Sequence, residues 1–418
     1  MSSFHYQSED LYAEGVPLAE IARKYGTPTY VYSRADIETA YLDFDQAFED
    51  YEHLVCYSVK ANSNIAVLNI LANLGAGFDI VSGGELQRVL KAGGEPSKIV
   101  FSGVGKTEEE LKFALEVGIG CFNIESPAEL ELLQSIAQEL GVTAPASVRV
   151  NPDVDAGTHP YIATGLKENK FGVSRDTAIA MYLKAKKMKH VNMVGIDCHI
   201  GSQITEVKPI IEAVSEITDL VDKLASYGIM LEHIDLGGGL GICYNDEKPI
   251  PLVDYSKAII KAMGKHQHRL LFEPGRYIVG NAGILLTKVQ FLKKNHENSF
   301  AIVDAAMNDL IRPALYGSWQ RIIEVKKSKK TRTLSIVGPI CETADFFAYG
   351  REIAAKPGDL VAIESAGAYG FVMSSNYNSR NRAAEIMVSG NKSYCVRKRE
   401  TIEQQLLLES VLPAHEEA

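Results

Sequence analysis

The sequence lacks any regular spacing of cysteines. Its six cysteines stand apart along the chain, with no Cys-x-x-Cys pair and no His/Cys group at the spacing of a zinc site. This distribution disfavours a disulfide framework and predicts reduced thiols, as in a cytoplasmic protein. We therefore expect a cytoplasmic location and no bound metal.

Long hydrophobic runs and excess positive charge are also missing. No apolar stretch reaches the roughly 18 residues of a membrane span, and the start of the chain lacks the basic and apolar regions of a secretion signal. The formal net charge is −10, which disfavours binding to a phosphate backbone. We expect no membrane and no nucleic-acid partner, and the basic run at 326–332 is expected to be an exposed hairpin tip.

What is present is a long α/β pattern. The chain has 418 residues, of which 46% are apolar, so two or three domains are expected. Eight short apolar runs alternate with helix-compatible segments, and this repeat predicts a (β/α)₈ barrel like that of triosephosphate isomerase. A doubly wound open sheet is the alternative, but no dinucleotide fingerprint follows the first run. The eight runs lie at 54–61, 78–82, 99–102, 121–124, 147–151, 194–200, 233–236 and 270–273.

The pattern of predicted helices and strands changes after residue 277. Strand-like runs at 284–292, 300–303, 333–337, 360–363 and 383–388 follow one another with few helices, which predicts a mostly antiparallel β domain of sandwich or Greek-key barrel type. A strand at 28–32 is expected to join it, and 401–412 is expected to form a short helix. The predicted organisation is therefore an N-terminal segment (1–35), a barrel (36–277) and a β domain (278–418).

Lys60 ends the first apolar run. A buried charge without a partner is expensive, so a lysine at this place suggests chemistry, and Schiff-base formation with a carbonyl cofactor is the leading interpretation. The alternative is a solvated residue at the rim of the barrel.

Polar residues and glycines mark the other strand ends. In (β/α)₈ barrels the active site lies on this face, and phosphate sites commonly use the loops after the seventh and eighth strands. The glycines after the seventh run can admit a phosphate, although a tight turn would explain them equally simply. The mixture predicts an anionic, nitrogenous ligand, and the residues are Asp79, Ser82, Glu125, Arg149, His199, Gly237, Gly238, Gly239, Glu273 and Arg276.

Two of these positions, together with Ser202, suit pyridoxal phosphate. Glu273 beside the ring nitrogen would favour the protonated pyridinium, which is the stronger electron sink. His199 could stack on the ring, and Ser202 could meet the phosphate. A hydrogen-bonded core histidine is the alternative for His199.

Several motifs together resemble the fold-type III pyridoxal-phosphate-dependent decarboxylases, a family that includes ornithine, arginine and diaminopimelate decarboxylases. They are 57–62 (YSVKAN), 199–203 (HIGSQ), 237–239 (GGG) and 273–276 (EPGR). The segments 159–172 (HPYIATGLKENKFG) and 338–345 (GPICETAD) resemble the diaminopimelate-specific branch. One departure is Thr343-Ala344, where Ser-Gly is expected.

The resemblance implies a homodimeric enzyme with shared active sites. Lys60 would carry pyridoxal 5′-phosphate, and Cys341 would donate a proton, reaching the site from the other subunit. With Lys60 and Cys341, His199 is expected to act in catalysis. The residues implied for cofactor binding are Lys60, Asp79, Arg149, His199, Ser202, Gly238, Gly239, Glu273, Pro274, Gly275, Arg276 and Tyr369.

The resemblance also implies the substrate meso-2,6-diaminopimelate, converted to L-lysine and CO₂ in the last step of lysine biosynthesis. Guanidinium groups suit its distal carboxylate, and an acid suits its distal ammonium. A related decarboxylase acting on lysine, ornithine or carboxynorspermidine is one alternative, and a non-catalytic pyridoxal-phosphate-binding homologue is another. The residues implied for substrate binding are Arg276, Arg312, Tyr316, Glu342 and Tyr369.

Overall fold

The computed structural model describes residues 3–154 and 170–412. The strands are β1 (Phe4–Gln7), β2 (Asp10–Ala13), β3 (Val16–Pro17), β4 (Thr29–Ser33), β5 (His53–Ser58), β6 (Gly77–Ile80), β7 (Ile99–Phe101), β8 (Cys121–Ile124), β9 (Ala144–Arg149), β10 (Val191–Asp197), β11 (His233–Asp235), β12 (Arg269–Phe272), β13 (Gly283–Asn295), β14 (Asn298–Val303), β15 (Ile322–Glu324), β16 (Arg332–Val337), β17 (Phe346–Ile353), β18 (Leu360–Ile363), β19 (Ala384–Ser389) and β20 (Lys392–Arg397).

The helices are distributed mainly between the strands of the first half of the chain. They are α1 (Leu18–Tyr25), α2 (Arg34–Gln46), α3 (Ile65–Asn73), α4 (Gly83–Ala92), α5 (Glu108–Val117), α6 (Pro127–Leu140), α7 (Arg175–Ala185), α8 (Lys208–Ser226), α9 (Leu252–Met263), α10 (Arg276–Val279), α11 (Arg312–Tyr316) and α12 (Ile402–Leu406). Among the described helices, none is both long enough and apolar enough to cross a lipid bilayer.

Strands β5 to β12 close into a parallel barrel, with β12 pairing with β5. Helices follow these strands, so the predicted (β/α)₈ barrel is confirmed. Local sequence explains the helices well, as α6 illustrates. Its N-cap Ser126 accepts the Glu129 backbone N–H at 3.1 Å, Pro127 occupies the first turn, and Gly141 ends the helix at φ 68°.

The barrel interior has two layers, because alternate strand residues point inward. The lower layer is a small apolar cluster that includes Cys56, Val100 and Leu271. The upper layer, two residues further along the strands, is polar and buried. It contains Ser58, Asp79, Ser102, Asn123, Arg149, Asp197, Asp235 and Glu273.

The second sheet has nine strands and is mostly antiparallel, as predicted. Strand β13 pairs with β4, β14 and β18, and the parallel pairs are β4 with β19 and β14 with β16. The early strand β4 therefore lies inside the sheet built from the end of the chain. The division of the chain at residues 35 and 277 stays a prediction.

Several boundaries differ from expectation. Strand β5 ends at Ser58, and 59–61 form a 3₁₀ turn, so Lys60 follows the strand rather than ending it. The C-terminal helix is limited to Ile402–Leu406. The basic run is exposed, but it is not a hairpin tip, because β15 pairs with β18 whereas β16 pairs with β14 and β17. Strands β1 to β3, β15, β17 and β20 were not predicted. Residues 159–169 of the substrate-branch motif lie outside the described residues.

Candidate active site

Lys60 lies at the C-terminal face of the barrel against a buried acid. Its Nζ is 2.7 Å from Asp79 Oδ2, which also accepts the Ser58 hydroxyl at 2.6 Å. Desolvation works against the ammonium, but the negative charges of Asp79 and Glu273 outweigh it and raise the pKa of Lys60 above its usual range. The lysine side chain is 36% exposed. Lys60 is therefore a paired, accessible ammonium rather than a solvated rim residue.

Three carboxyl groups meet beside this pair. Oxygens of Asp197, Asp235 and Glu273 all lie within 4.8 Å of one another, and all three residues are buried. Burial raises the pKa of Glu273 well above its ordinary value, and the negative charges of Asp235, Asp79 and Asp197 raise it further. The cation nearest to Asp197 is Arg149, whose Nε lies 3.8 Å from Asp197 Oδ2.

A series of hydrogen bonds through hydroxyl and amide groups connects Glu273 with the neighbouring strands. Its Oε1 accepts the Ser102 hydroxyl at 3.3 Å, and Ser102 accepts an N–H of the Asn123 amide at 3.1 Å. Asn123 in turn accepts the Ser147 hydroxyl. Since these residues come from three neighbouring strands, the orientation of the Glu273 carboxyl is fixed by the barrel itself.

His199 and the glycine loop pack together at the next strand ends. The Gly238 backbone N–H donates to His199 Nδ1 at 3.1 Å, so this ring nitrogen is an acceptor. Burial lowers the pKa of His199 well below its ordinary value, and the positive charges of Arg149 and Lys60 lower it further. His199 is therefore neutral. A Cβ on Gly238 would overlap the Glu273 carbonyl oxygen, and one on Gly239 would overlap that of Gly201, so both positions require glycine.

Two guanidinium groups, those of Arg276 and Arg312, lie beside this loop. Arg276 donates to the Tyr244 hydroxyl at 2.5 Å and to the Ser202 hydroxyl at 2.9 Å, and both Arg276 and Arg312 are buried. Within the described residues, neither arginine forms an ion pair, and the Nε of each is buried without a hydrogen-bond partner. Burial lowers the pKa of Arg312. Two uncompensated buried cations indicate a site for an anion.

Aromatic rings hold these cations in place. The Arg312 guanidinium lies 5.4 Å from the Tyr244 ring, 5.3 Å from the Tyr316 ring and 6.0 Å from the Tyr369 ring. The Arg276 guanidinium lies 4.9 Å from the Tyr369 ring. Cation–π contacts of this kind stabilise a charge without neutralising it. The arginines thus remain available to a ligand.

Tyr369 and Gly275 connect the arginines to the lysine segment. The Tyr369 backbone N–H donates to the Ala61 carbonyl at 2.8 Å, and its φ is 54°. Gly275 packs against Ser58 and Ala61 so closely that a Cβ there would overlap both side chains. The Pro274 carbonyl accepts the Ser58 backbone N–H at 3.2 Å. The second sheet and the last barrel strand are therefore both fixed to the residues beside Lys60.

Cys341 and Glu342 lie elsewhere on the same chain. Both are exposed, and no described hydrogen bond or ion pair joins them to Lys60, Arg276 or Arg312. Their loop is ordered by Asp345, whose carboxylate accepts the backbone N–H groups of Met307 at 2.7 Å and Ile340 at 2.8 Å. The Cys341 N–H donates to Asn378 Oδ1 at 2.8 Å. Among the described contacts of one chain, none connects the expected proton donor with Lys60.

Comparisons with known proteins identify the family. Residues 34–280 match the profile described as pyridoxal-dependent decarboxylase, pyridoxal binding domain. The diaminopimelate decarboxylase of Pseudomonas fluorescens is 58% identical over 415 residues, which cover 99% of this chain and all of the relative. This chain belongs to the diaminopimelate decarboxylase family.

Solved structures agree with that family assignment. The Helicobacter pylori diaminopimelate decarboxylase complexed with L-lysine has a TM-score of 0.91 at 44% identity, covering 94% of this chain and 98% of the other. The M. jannaschii enzyme in complex with L-lysine has a TM-score of 0.94 at 39% identity, covering 98% of both chains. The eight-stranded barrel and the second sheet are thus the fold of this family.

The structure brings most of the predicted residues to one place. Lys60, Asp79, Arg149, His199, Glu273, Arg276, Arg312 and Tyr369 are connected by the contacts described above, together with the glycine loop and Ser202. Ser202 contacts Arg276 directly. The assignment of roles to these residues stays a prediction. Tyr244, Asp197 and Asp235 were missed as site residues, although Asp235 carries a signal, because it is an acid inside an apolar strand.

Proposed function

We infer that this chain removes CO₂ from meso-2,6-diaminopimelate and releases L-lysine, with pyridoxal phosphate as cofactor. The observation that carries the substrate assignment is the buried pair Arg276 and Arg312, which lacks an acidic partner within the described residues. Diaminopimelate has a second carboxylate at the end remote from the reacting carbon. Lysine and ornithine have none, and they would leave the Arg312 guanidinium uncompensated.

The residues around Lys60 fit pyridoxal phosphate. The lysine after the first barrel strand suits the aldehyde of the cofactor, and the buried acid of the polar layer suits its ring nitrogen. The glycine loop, which tolerates no Cβ, suits its phosphate. When bound, the cofactor supplies an electron sink for the electron pair left by the departing CO₂. Lys60 would hold it through the side-chain amine, Glu273 would face the ring nitrogen and neutral His199 would pack on the ring.

The remaining residues would orient the substrate. Arg312 and Arg276 would bind the distal carboxylate, with the tyrosine rings around them keeping water away. Glu342 would bind the distal ammonium, and Tyr316 would line this part of the site. By resemblance to the family, we propose that the enzyme acts at the D-configured centre of the meso compound, which leaves the L-configured head in the product L-lysine.

A homodimer would complete the site. Cys341 and Glu342 are exposed, and no described contact joins them to the lysine site of their own chain. The reaction nevertheless needs a proton at the substrate carbon and a countercharge for the ammonium. We propose that this loop of one subunit reaches the lysine site of the other, where the Cys341 thiol donates the proton. A cytoplasmic location is part of the proposal, and the six free cysteines support it.

A substrate panel tests the function. Purified protein with added pyridoxal phosphate is incubated with meso-diaminopimelate, lysine, ornithine or carboxynorspermidine, and CO₂ release is measured. We expect release from meso-diaminopimelate alone. Release from one of the others instead would assign the chain to a related decarboxylase. No release from any, despite cofactor binding, would indicate a non-catalytic homologue.

A further inference from the structure

In and beside the upper polar layer of the barrel, the buried acids outnumber the cations that pair with them. Among the described residues, these cations are Lys60, paired with Asp79, and Arg149, placed between Asp197 and Glu125. The buried acids are Asp79, Glu125, Asp197, Asp235 and Glu273. If all of these acids were ionised, the layer would hold a buried excess of negative charge. Burial makes such an excess costly, so part of it must be neutralised by protons.

Within the described residues, Asp235 and Glu273 are the two of these acids that form no ion pair. Asp235 Oδ1 accepts the Gly237 backbone N–H at 2.9 Å, whereas Asp235 Oδ2 is buried with no donor in contact. Glu273, on the adjacent strand end, lies within 4.8 Å of it. Burial raises the pKa of Asp235 to about 6, and the negative charge of Asp79 adds to this, although the hydrogen bond from the Gly237 N–H lowers it. Two buried carboxylates this close repel each other, so a proton on one of them is favoured.

The surroundings indicate which group holds that proton. Asp235 receives a backbone N–H, which stabilises its ionised form. Within the described part of the chain, the one hydrogen bond to the Glu273 carboxyl comes from the Ser102 hydroxyl, on Oε1 at 3.3 Å. The other groups facing the pair are Asp79 on β6, Arg149 on β9, Asp197 on β10, Lys60 after β5 and the buried thiols of Cys56 and Cys198. Apart from the two paired cations, none of these groups would favour an ionised Glu273.

We propose that Asp235 is a positioning residue that keeps a proton on the Glu273 carboxyl before the cofactor binds. Glu273 then transfers this proton to the ring nitrogen on binding. The carboxyl O–H bond breaks, a pyridinium N–H bond forms, and the resulting carboxylate stays beside the cation that it has created. This inference rests on the proposed function, since it assumes that pyridoxal phosphate binds with its nitrogen at Glu273.

Infrared difference spectroscopy of the cofactor-free protein measures that proton. A protonated carboxyl has a C=O stretch distinct from that of a carboxylate, and Glu273→Gln assigns the Glu273 contribution. We expect wild-type protein at pH 7 to show this band and to lose it on addition of pyridoxal phosphate. Inorganic phosphate, which has no ring nitrogen, should leave it in place.

Asp235→Asn tests the role of Asp235. The amide keeps an oxygen for the Gly237 N–H but removes the negative charge, so the pH midpoint of the Glu273 band should fall by about 1–3 units. Glu125→Gln is the matched control. It also removes an acid from this face of the barrel, but Glu125 is separated from Glu273 by Arg149, so the midpoint should change much less. If Asp235→Asn does not fold, Asp197→Asn removes the other neighbouring charge and should also lower the midpoint.

Three outcomes would overturn the inference. They are a wild-type protein without a Glu273 band at pH 7, a band that persists when the cofactor is bound, and an unchanged midpoint in Asp235→Asn. The failure of the proposed function looks different. In that case pyridoxal phosphate would produce no visible absorbance with the wild-type protein, whatever the state of the Glu273 carboxyl.

Discussion

At the scale of single residues, Lys60 illustrates how a charged side chain after a buried strand can be paired and still be accessible. Asp79 compensates the ammonium at 2.7 Å, and 36% of the lysine side chain stays exposed to a ligand. Lys60→Ala should abolish both the visible absorbance of added pyridoxal phosphate and CO₂ release, because no other described amine lies at this strand end. Lys265→Ala, at an exposed lysine, is the control and should keep both. An unchanged spectrum in Lys60→Ala would refute the cofactor assignment.

The prediction about the substrate depends on one residue, Arg312. Hydrogen bonds to charged groups contribute about 1.5–3 kcal/mol, so Arg312→Ala should weaken meso-diaminopimelate binding by about 10- to 100-fold. The turnover at saturation should change less, since Arg312 is expected to hold the remote end of the substrate. Steady-state kinetics measure both quantities. The exposed Arg321 gives the control Arg321→Ala, and an equal loss in both variants would contradict the assignment.

His233 provides a residue-scale prediction about stability. Burial lowers the pKa of His233 to about 4, and the positive charges of Arg269 and His268 contribute. An unfolded histidine has a pKa near 6.5, so between about pH 6.5 and 4 the unfolded chain binds a proton that the folded chain does not. The free energy of unfolding should therefore fall as pH falls through this window, by up to about 3 kcal/mol from this group.

Thermal unfolding at pH 7 and pH 4.5 checks that direction. The decrease in Tm between these two pH values should be smaller in His233→Gln than in the wild type, because glutamine does not titrate. His5→Gln, at an exposed histidine, is the control and should leave the decrease unchanged. The same decrease in wild type and His233→Gln would show that His233 is not responsible.

At the scale of elements, the alternation of strand residues explains which site residues the sequence could reveal. Ends of apolar runs are visible in the sequence, and they led to Lys60, Glu273 and the glycine loop. Asp197 and Asp235 were harder to assign, because their roles depend on adjacent strands bringing them to one height in the barrel. Tyr244 was missed because it lies in an irregular loop, and only the fold places it beside Arg276.

The glycine loop after β11 yields a prediction for an element. Gly238→Ala would force a Cβ into the Glu273 carbonyl oxygen, so the loop or the strand end must move. Overpacking of this kind costs about 1–3 kcal/mol, and we expect at least about a tenfold loss of affinity for pyridoxal phosphate. Gly105→Ala is the control, since a Cβ there has open space. Titration of the visible absorbance measures both affinities, and equal values would contradict the role of the loop.

At the scale of the whole molecule, the sequence predicted the barrel and second sheet but not every strand. Strands β15 and β17 were missed because they lack a long apolar run, and the partner of β15, strand β18, is distant in sequence. The joining of β4 to β13 and β19 was anticipated, although β4 precedes the barrel. Long-range pairing of this kind depends on the folded context rather than on local periodicity.

A shared active site is the main prediction at this scale. Lys60→Ala and Cys341→Ala proteins should each be inactive, and mixing them after subunit exchange should restore about a quarter of wild-type activity, because half of the dimers are mixed and each has one intact site. CO₂ release after exchange is the measurement. Each variant exchanged with itself is the control. Activity that stays at the level of the single variants would show that each site uses residues of one chain.

The central claim concerns the reaction of the whole enzyme, and the identity of its product tests this claim most directly. Purified protein with pyridoxal phosphate is given meso-diaminopimelate, and the lysine formed is quantified by chiral chromatography together with CO₂. The predicted result is L-lysine and CO₂ in equal amounts. The absence of lysine, with CO₂ released instead when lysine or ornithine is the substrate, would contradict it.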